Sequence, residues 1–287
     1  MAVFEDLPEE CIAAILSLTT PLDAGRLSLI SKTFRSATHS DAVWDKFLPS
    51  DSNFIDSIIS QSPSLSNLPT KKALYLALSD RPIIIDNGKK SFQLDRKSGK
   101  KCCMLAARSL TIVWGDTELY WNWIVMSDSR FPEVAKLNHV WWLEIRGMIN
   151  THALSPNTRY GVYLVFKMID ARGFEYIPVH LSVCVEGGNS STKIVCLDPK
   201  VEPMPHNGAG RRNRHMRMML RRLEDKVIGL QRPSVRSDGW LEIEMGEFFN
   251  SGIEHEEVHM SVIETKAGQL KENFFVEGIE IRPKQDN

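Results

Sequence analysis

The sequence predicts a two-part α+β chain. An N-terminal unit of three short helices leads through a helical connector into a mainly antiparallel, jelly-roll-like β-sandwich. Three observations carry this prediction. Apolar residues recur at helical spacing as far as about residue 80 and at strand spacing from Ile83 onward. Turn residues such as Asn87-Gly88 punctuate the second part. Five of the 7 Trp fall between Trp114 and Trp142. That density implies either an unusually aromatic core or a surface that stacks on a flat apolar partner.

In the first part, Asp6 can cap a helix with Pro8 in its first turn and Ile12, Ile15 and Leu16 as its apolar stripe. Thr20-Pro21-Leu22-Asp23 reads as a second helix start, followed by the stripe Leu27, Ile30 and Phe34. Ser40 or Asp41 opens a third helix carrying Val43, Trp44, Phe47 and Leu48, which Pro49 ends. A unit of about fifty residues cannot bury all these side chains internally, and leftover apolar surface implies a partner.

Leu7-Pro8-Glu9-Glu10, Ile15-Leu16-Ser17, Pro21-Leu22-Asp23, Arg26-Leu27 and Trp44 resemble, in order and spacing, the F-box family. Phe34 stands where most members have Trp, keeping the aromatic bulk and losing an N–H donor. The resemblance implies an F-box over residues 1–50 that docks on a Skp-type adaptor and, through it, on a cullin in an SCF ubiquitin ligase. The adaptor-binding residues it implies are Leu7, Pro8, Ile12, Ile15, Leu16, Pro21, Leu27, Ile30, Phe34 and Trp44. An amphipathic helical unit laid on a complementary groove is a standard recognition mode.

Residues 51–82 read as the connector. Phe54, Ile55, Ile58 and Ile59 mark one helix, and Thr70 caps another carrying Leu74, Ala77 and Leu78. From 83 to 287 the strands follow. Ile83–Ile85 and Ser91–Leu94 flank the turn at Asn87-Gly88. Alternating runs appear around Trp142–Arg146, Tyr160–Lys167, Val179–Val183, Leu241–Met245 and Val258–Val262, and Phe275–Ile281 closes the set. The helical and strand stripes share no residue, so the sandwich is expected to fold without the F-box.

Ala106-Ala107-Arg108, Ile112-Val113-Trp114, Tyr120–Trp123, Trp142–Gly147, Tyr160–Lys167, Arg236–Glu244, Gly246–Phe249 and Gly278–Pro283 resemble the phloem protein 2 lectin domain, of the tobacco lectin type called Nictaba. In one plant family that domain is fused to an F-box. The resemblance implies a carbohydrate site in which Trp114 and Trp121 stack on sugar while Glu257 and Glu264 accept from its hydroxyls. An indole face suits the C–H face of a pyranose, and a carboxylate suits vicinal hydroxyls. The implied partner is a glycan or glycoprotein target. The alternative reading keeps the adaptor role and has the sandwich read a protein surface without sugar.

His255-Glu256-Glu257-Val258-His259 is formally a zinc-hydrolase motif. Alternation of Val258, Met260 and Val262 makes it a strand, which spreads the two His about 13 Å apart. No metal, cofactor or catalytic residue is therefore expected, and the chain is read as a non-catalytic adaptor. The net charge of −1 steers it to neither nucleic acid nor membrane. A basic run over Arg211–Arg222 is read as a solvated face or a nuclear localisation signal. The 5 Cys form no paired framework and no signal peptide or membrane span is evident. Both points suggest a reducing, cytoplasmic or nuclear setting.

Overall fold

The computed structural model of the chain describes residues 7–188, 190–199, 225–253 and 256–284. The Asp6 cap, the 211–222 basic run and His255 lie outside the described residues.

The helices are α1 (Glu9–Ser17), α2 (Pro21–Leu27), α3 (Lys32–Ala37), α4 (Asp41–Asp45), α5 (Ser52–Gln61) and α6 (Lys71–Asp80). Pro8 stands at the start of α1 with no side-chain cap. Thr20 Oγ1 accepts from the Asp23 amide at 3.1 Å, so α2 opens where its residues direct. The chain then breaks at Ser31, whose hydroxyl accepts from the Phe34 amide at 3.3 Å and starts α3. This cap divides the stripe expected as one helix, and the break leaves Ile30 exposed. Inside the unit, Ile12, Leu16, Val43, Trp44 and Leu78 pack together. The Trp44 indole N–H donates to the Thr38 carbonyl at 2.7 Å, so the ring enters the core without stranding a donor.

The strands are β1 (Ile83–Ile85), β2 (Lys90–Leu94), β3 (Lys101–Ala106), β4 (Thr111–Ile112), β5 (Trp121–Ile124), β6 (Val134–Leu137) and β7 (Leu143–Asn150). They continue as β8 (Thr158–Arg172), β9 (Pro178–Val185), β10 (Ser190–Cys196), β11 (Ser234–Val235), β12 (Leu241–Asn250), β13 (Glu257–Glu264) and β14 (Glu272–Pro283). One sheet runs β1-β2-β3-β14-β8-β12-β11, with β6 also on β14 and β5 on β6. The other runs β10-β9-β13-β7-β4. Leu105, Leu164, Ile243 and Ile279 from the first meet Ile145, Leu181 and Val262 from the second in one buried core.

At the centre of the larger sheet, β14 shifts register between Val276 and Gly278. A Cβ at Gly278 would lie 1.9 Å from the Leu105 carbonyl oxygen, so only glycine fits this approach of β14 to β3. The bulge frees Glu277 to accept from the Arg130 amide at 2.6 Å. Nearby, Glu280 ties Arg130 at 3.2 Å, Arg236 at 2.6 Å and Arg282 at 2.9 Å.

The two parts share a seam. Phe92 and Leu94 of β2 belong to the helical core, and Phe54 meets Phe92 edge-on at 5.0 Å. The Tyr75 hydroxyl donates to the Asp95 carbonyl at 3.2 Å. The inter-sheet core draws on no residue of the helical part, as expected, but β2 turns its apolar face to the helices and not to the other sheet.

Candidate functional site

The residues from Thr111 to Ile124 build a corner between the two sheets. Trp114 sits at its turn with φ +60°, a left-handed conformation that costs a side-chain-bearing residue about 1–2 kcal/mol. The Thr117 amide donates to the Trp114 carbonyl at 2.9 Å and holds the turn. The Trp123 indole N–H donates to the Gly115 carbonyl at 3.0 Å, and the Arg108 guanidinium stacks 3.7 Å over the Trp123 ring.

Trp114 is 44% exposed and Trp142 46%. The Trp114 ring lies 5.1 Å from Tyr120 and 6.3 Å from Trp142, and Tyr120 meets His139 at 5.8 Å. This is a contiguous aromatic surface open to solvent. Beside it, Glu144 accepts from the Trp142 indole N–H at 3.0 Å and from Arg146 at 2.7 Å. The Arg146 bond, against the opposing effect of burial and with help from the Trp142 N–H, holds the Glu144 carboxyl below its ordinary pKa. Around the corner, Arg108, Asp116, Glu118, Asn122, Trp123 and Glu133 help to line an open cavity of about 520 Å³. An aromatic face beside a carboxylate such as Glu144 can stack a ring and accept from its hydroxyls.

Of the sugar-site residues expected from the sequence, only Trp114 offers an exposed ring. Trp121 is 2% exposed, lodged in the inter-sheet core where β5 pairs with β6, and contributes to the wall of the 520 Å³ cavity without presenting an open ring face. Its indole N–H has no hydrogen-bond partner among the described residues. Glu264 is 3% exposed. It is ion-paired to the fully buried Lys271, and its Oε1 accepts from the Lys266 and Ala267 amides at 2.9 and 2.7 Å. Burial opposes ionisation, but Lys271 and these amides outweigh it and keep the Glu264 carboxyl below its ordinary pKa. Glu257 and Glu264 stand at opposite ends of β13. Seven positions along a strand span about 23 Å, so the two cannot serve one monosaccharide.

Lys271 instead supports the aromatic surface. Its ammonium donates to the Trp141 carbonyl at 3.2 Å, and its backbone exchanges two hydrogen bonds with Val140, at 2.8 and 3.0 Å. Glu264 thus acts through Lys271 on the segment that presents Trp141 and Trp142. Sequence reasoning passed over Tyr120, Trp142 and Glu144 as site residues. The signal was present in the alternation that puts Trp142, Glu144 and Arg146 on one face of the strand.

The expected adaptor residues divide by burial. Leu7, Pro8, Ile15 and Ile30 are exposed, and Leu27 and Phe34 are partly so. Ile12, Leu16, Pro21 and Trp44 are buried and shape the unit from within. Ile12 and Leu16, at 0% exposure, lie in the helical core, whereas Pro21 and Trp44 also line a groove between α2 and α6. Leu18 and Leu29, not singled out by the sequence pattern, are exposed at 86% and 77%. Val258 and His259 of the formal zinc motif lie on a strand, not a helix.

Comparison with known proteins finds two family models along the chain. Residues 100–283 match the phloem protein 2 family model, and residues 4–46 match the F-box domain model. The chain is 42% identical over 283 residues to the Arabidopsis thaliana F-box protein PP2-B10, covering 98% of this chain and 94% of that one. It is 43% identical over 288 residues to F-box protein PP2-B15 of the same plant, covering 97% and 96%. F-box protein VBF, also from Arabidopsis thaliana, is 43% identical over 287 residues, with 97% and 99% covered.

Proposed function

The chain belongs to the phloem protein 2 family of F-box proteins, and from that footing we propose that it is the substrate-recognition subunit of an SCF-type ubiquitin ligase. In this reading the exposed apolar residues of the F-box bind a Skp-type adaptor and, through it, a cullin. The sandwich captures a glycosylated target in the cytoplasm or nucleus. The chain contributes proximity and not chemistry: it raises the effective concentration of target lysines near a ligase-bound ubiquitin. The seam through Phe92 and Tyr75 supports a fixed angle between the two ends, which helps only if the target faces the ligase.

One observation carries the glycan reading. Trp114 and Trp142, exposed and joined to half-buried Tyr120, form an aromatic surface beside which Glu144 supplies a carboxylate, and Asp116 and Asn122 line a separate cavity close by in sequence. The experiment is a glycan array probed with the whole chain and with Trp114→Ala and Trp142→Ala. Binding that falls in both folded variants supports the reading, and an array with no binding by the unaltered chain sinks it.

A second reading, target capture by protein contact alone, is favoured by the further exposure of Leu119 at 58% and Trp141 at 60%. These extend the apolar surface beyond one sugar ring. Target binding that survives enzymatic deglycosylation would favour it.

A further inference from the structure

A groove of about 460 Å³ lies between α2, α6 and the turn joining β2 to β3. Its apolar lining comes from Leu22, Leu29, Trp44, Tyr75 and Leu76. Trp44 and Tyr75 are buried and form the floor, whereas Leu29 at 77% and Leu76 at 40% are exposed along the rim. Besides Pro21, Gly25, Ser28 and Thr38, the lining holds four cations, Arg26, Lys72, Arg96 and Lys97, and no carboxylate. In a chain with 35 basic and 36 acidic residues, four cations without one acid are a local excess, not a reflection of composition.

The four come from three separate segments, so the fold and not one charged run assembles them. Lys72 lies 5.2 Å over the Trp44 ring. Neither Lys72 nor Arg96 forms an ion pair with a described residue. Partial burial lowers the Lys72 pKa, so its ammonium is incompletely hydrated and gains from a carboxylate. Arg26 reaches Asp23 only at 3.5 Å, with both side chains largely exposed, a contact too weak to neutralise it. The chain's own basic run at 211–222 has the wrong sign to fill the groove.

We propose that this groove docks an acidic, amphipathic peptide segment of a partner protein, distinct from the Skp-type adaptor, with a bulky apolar side chain between Leu29 and Leu76 and flanking carboxylates on Lys72, Arg96 and Arg26. The apolar floor gives the contact and the cations give orientation and selectivity against basic segments. Such a site would let the chain hold a second protein while the aromatic surface holds its target.

The test is selection of random phage-displayed peptides on the full chain, followed by titration of the most enriched peptide as a fluorescent synthetic copy. The expected peptides are acidic with at least one bulky apolar residue. Lys72→Glu combined with Arg96→Glu weakens binding about tenfold or more. Leu29→Ser, at an exposed position, weakens it without lowering the melting temperature. Raising salt weakens it further. The proposal is overturned if no peptide is enriched, if the enriched peptides are neutral or basic, or if the charge-reversed chain binds equally well. Displacement of the peptide by excess Skp-type adaptor also overturns it, since the groove would then belong to the adaptor face.

Discussion

The Lys271 ammonium, wholly buried, is ion-paired to the Glu264 carboxylate and donates to the carbonyl of Trp141 at 3.2 Å. A charge pair sealed in an apolar setting is retained at a desolvation cost and collapses if one partner is removed. Here it braces the segment that carries two exposed indoles.

Lys271→Met should therefore destabilise the chain by about 3–5 kcal/mol, because it strands the buried carboxylate. Urea unfolding measures this. Adding Glu264→Leu to that variant should recover only part of the loss, since the Lys266 and Ala267 amides lose their acceptor as well. Full recovery would show that the amides are solvated and that Glu264 serves Lys271 alone.

Acid sensitivity follows from Glu280. Burial pushes its pKa up, but Arg236, Arg130 and Arg282 prevail and bring it from 4.5 to about 2. A depressed carboxyl contributes stability that is present above the unfolded pKa and lost as pH falls through the folded one. The melting temperature should fall between about pH 4.5 and 2, and Glu280→Gln should flatten that fall. Glu277 has the opposite sign. Burial raises its pKa, so its contribution is present below the unfolded value and is lost as pH rises through the folded one. Glu277→Gln should remove that loss.

The F-box offers a clean division between surface and core. Ile30→Glu should abolish pull-down of a Skp-type adaptor with little change in melting, because Ile30 is 69% exposed. Leu16→Ala should cost about 2–5 kcal/mol of stability through the cavity it leaves. If Ile30→Glu still binds the adaptor, the docking face lies elsewhere on the unit.

Removing residues 1–82 should not yield a clean sandwich. Phe92 and Leu94, 2% and 0% exposed in the whole chain, would meet water, each forfeiting up to about 1.5–3 kcal/mol of burial. Light scattering and dye binding should report an aggregation-prone fragment. A fragment melting as cooperatively as the whole chain would show that the seam contributes little.

Much of this was legible in the residues. The change of period near Ile83 located the two parts, and Thr20 and Thr70 began helices as their hydroxyls require. What one sequence could not give was which of several similar residues faces water. Ile12 and Ile15 sit one turn apart, yet one is sealed and the other open, because α3 and α4 cover only one side of α1. Trp121 and Trp142 both belong to motif-rich strands. Pairing of β5 with β6 buries the first, while Trp142, just ahead of β7, stays outside the core. Those outcomes depend on long-range pairing, to which short motifs are blind.

The most direct test of the central claim is the glycan affinity of the whole chain beside Trp114→Ala, Trp142→Ala and Trp121→Phe, with circular dichroism confirming the fold of each. A shallow, wet site implies an affinity on the order of 10⁻⁴ M. Loss of one exposed indole, at roughly 1 kcal/mol, should cost about fivefold, so both surface variants should weaken while Trp121→Phe binds as the unaltered chain does. Binding that survives both surface substitutions and disappears only in Trp121→Phe would contradict the assignment of the exposed aromatic surface.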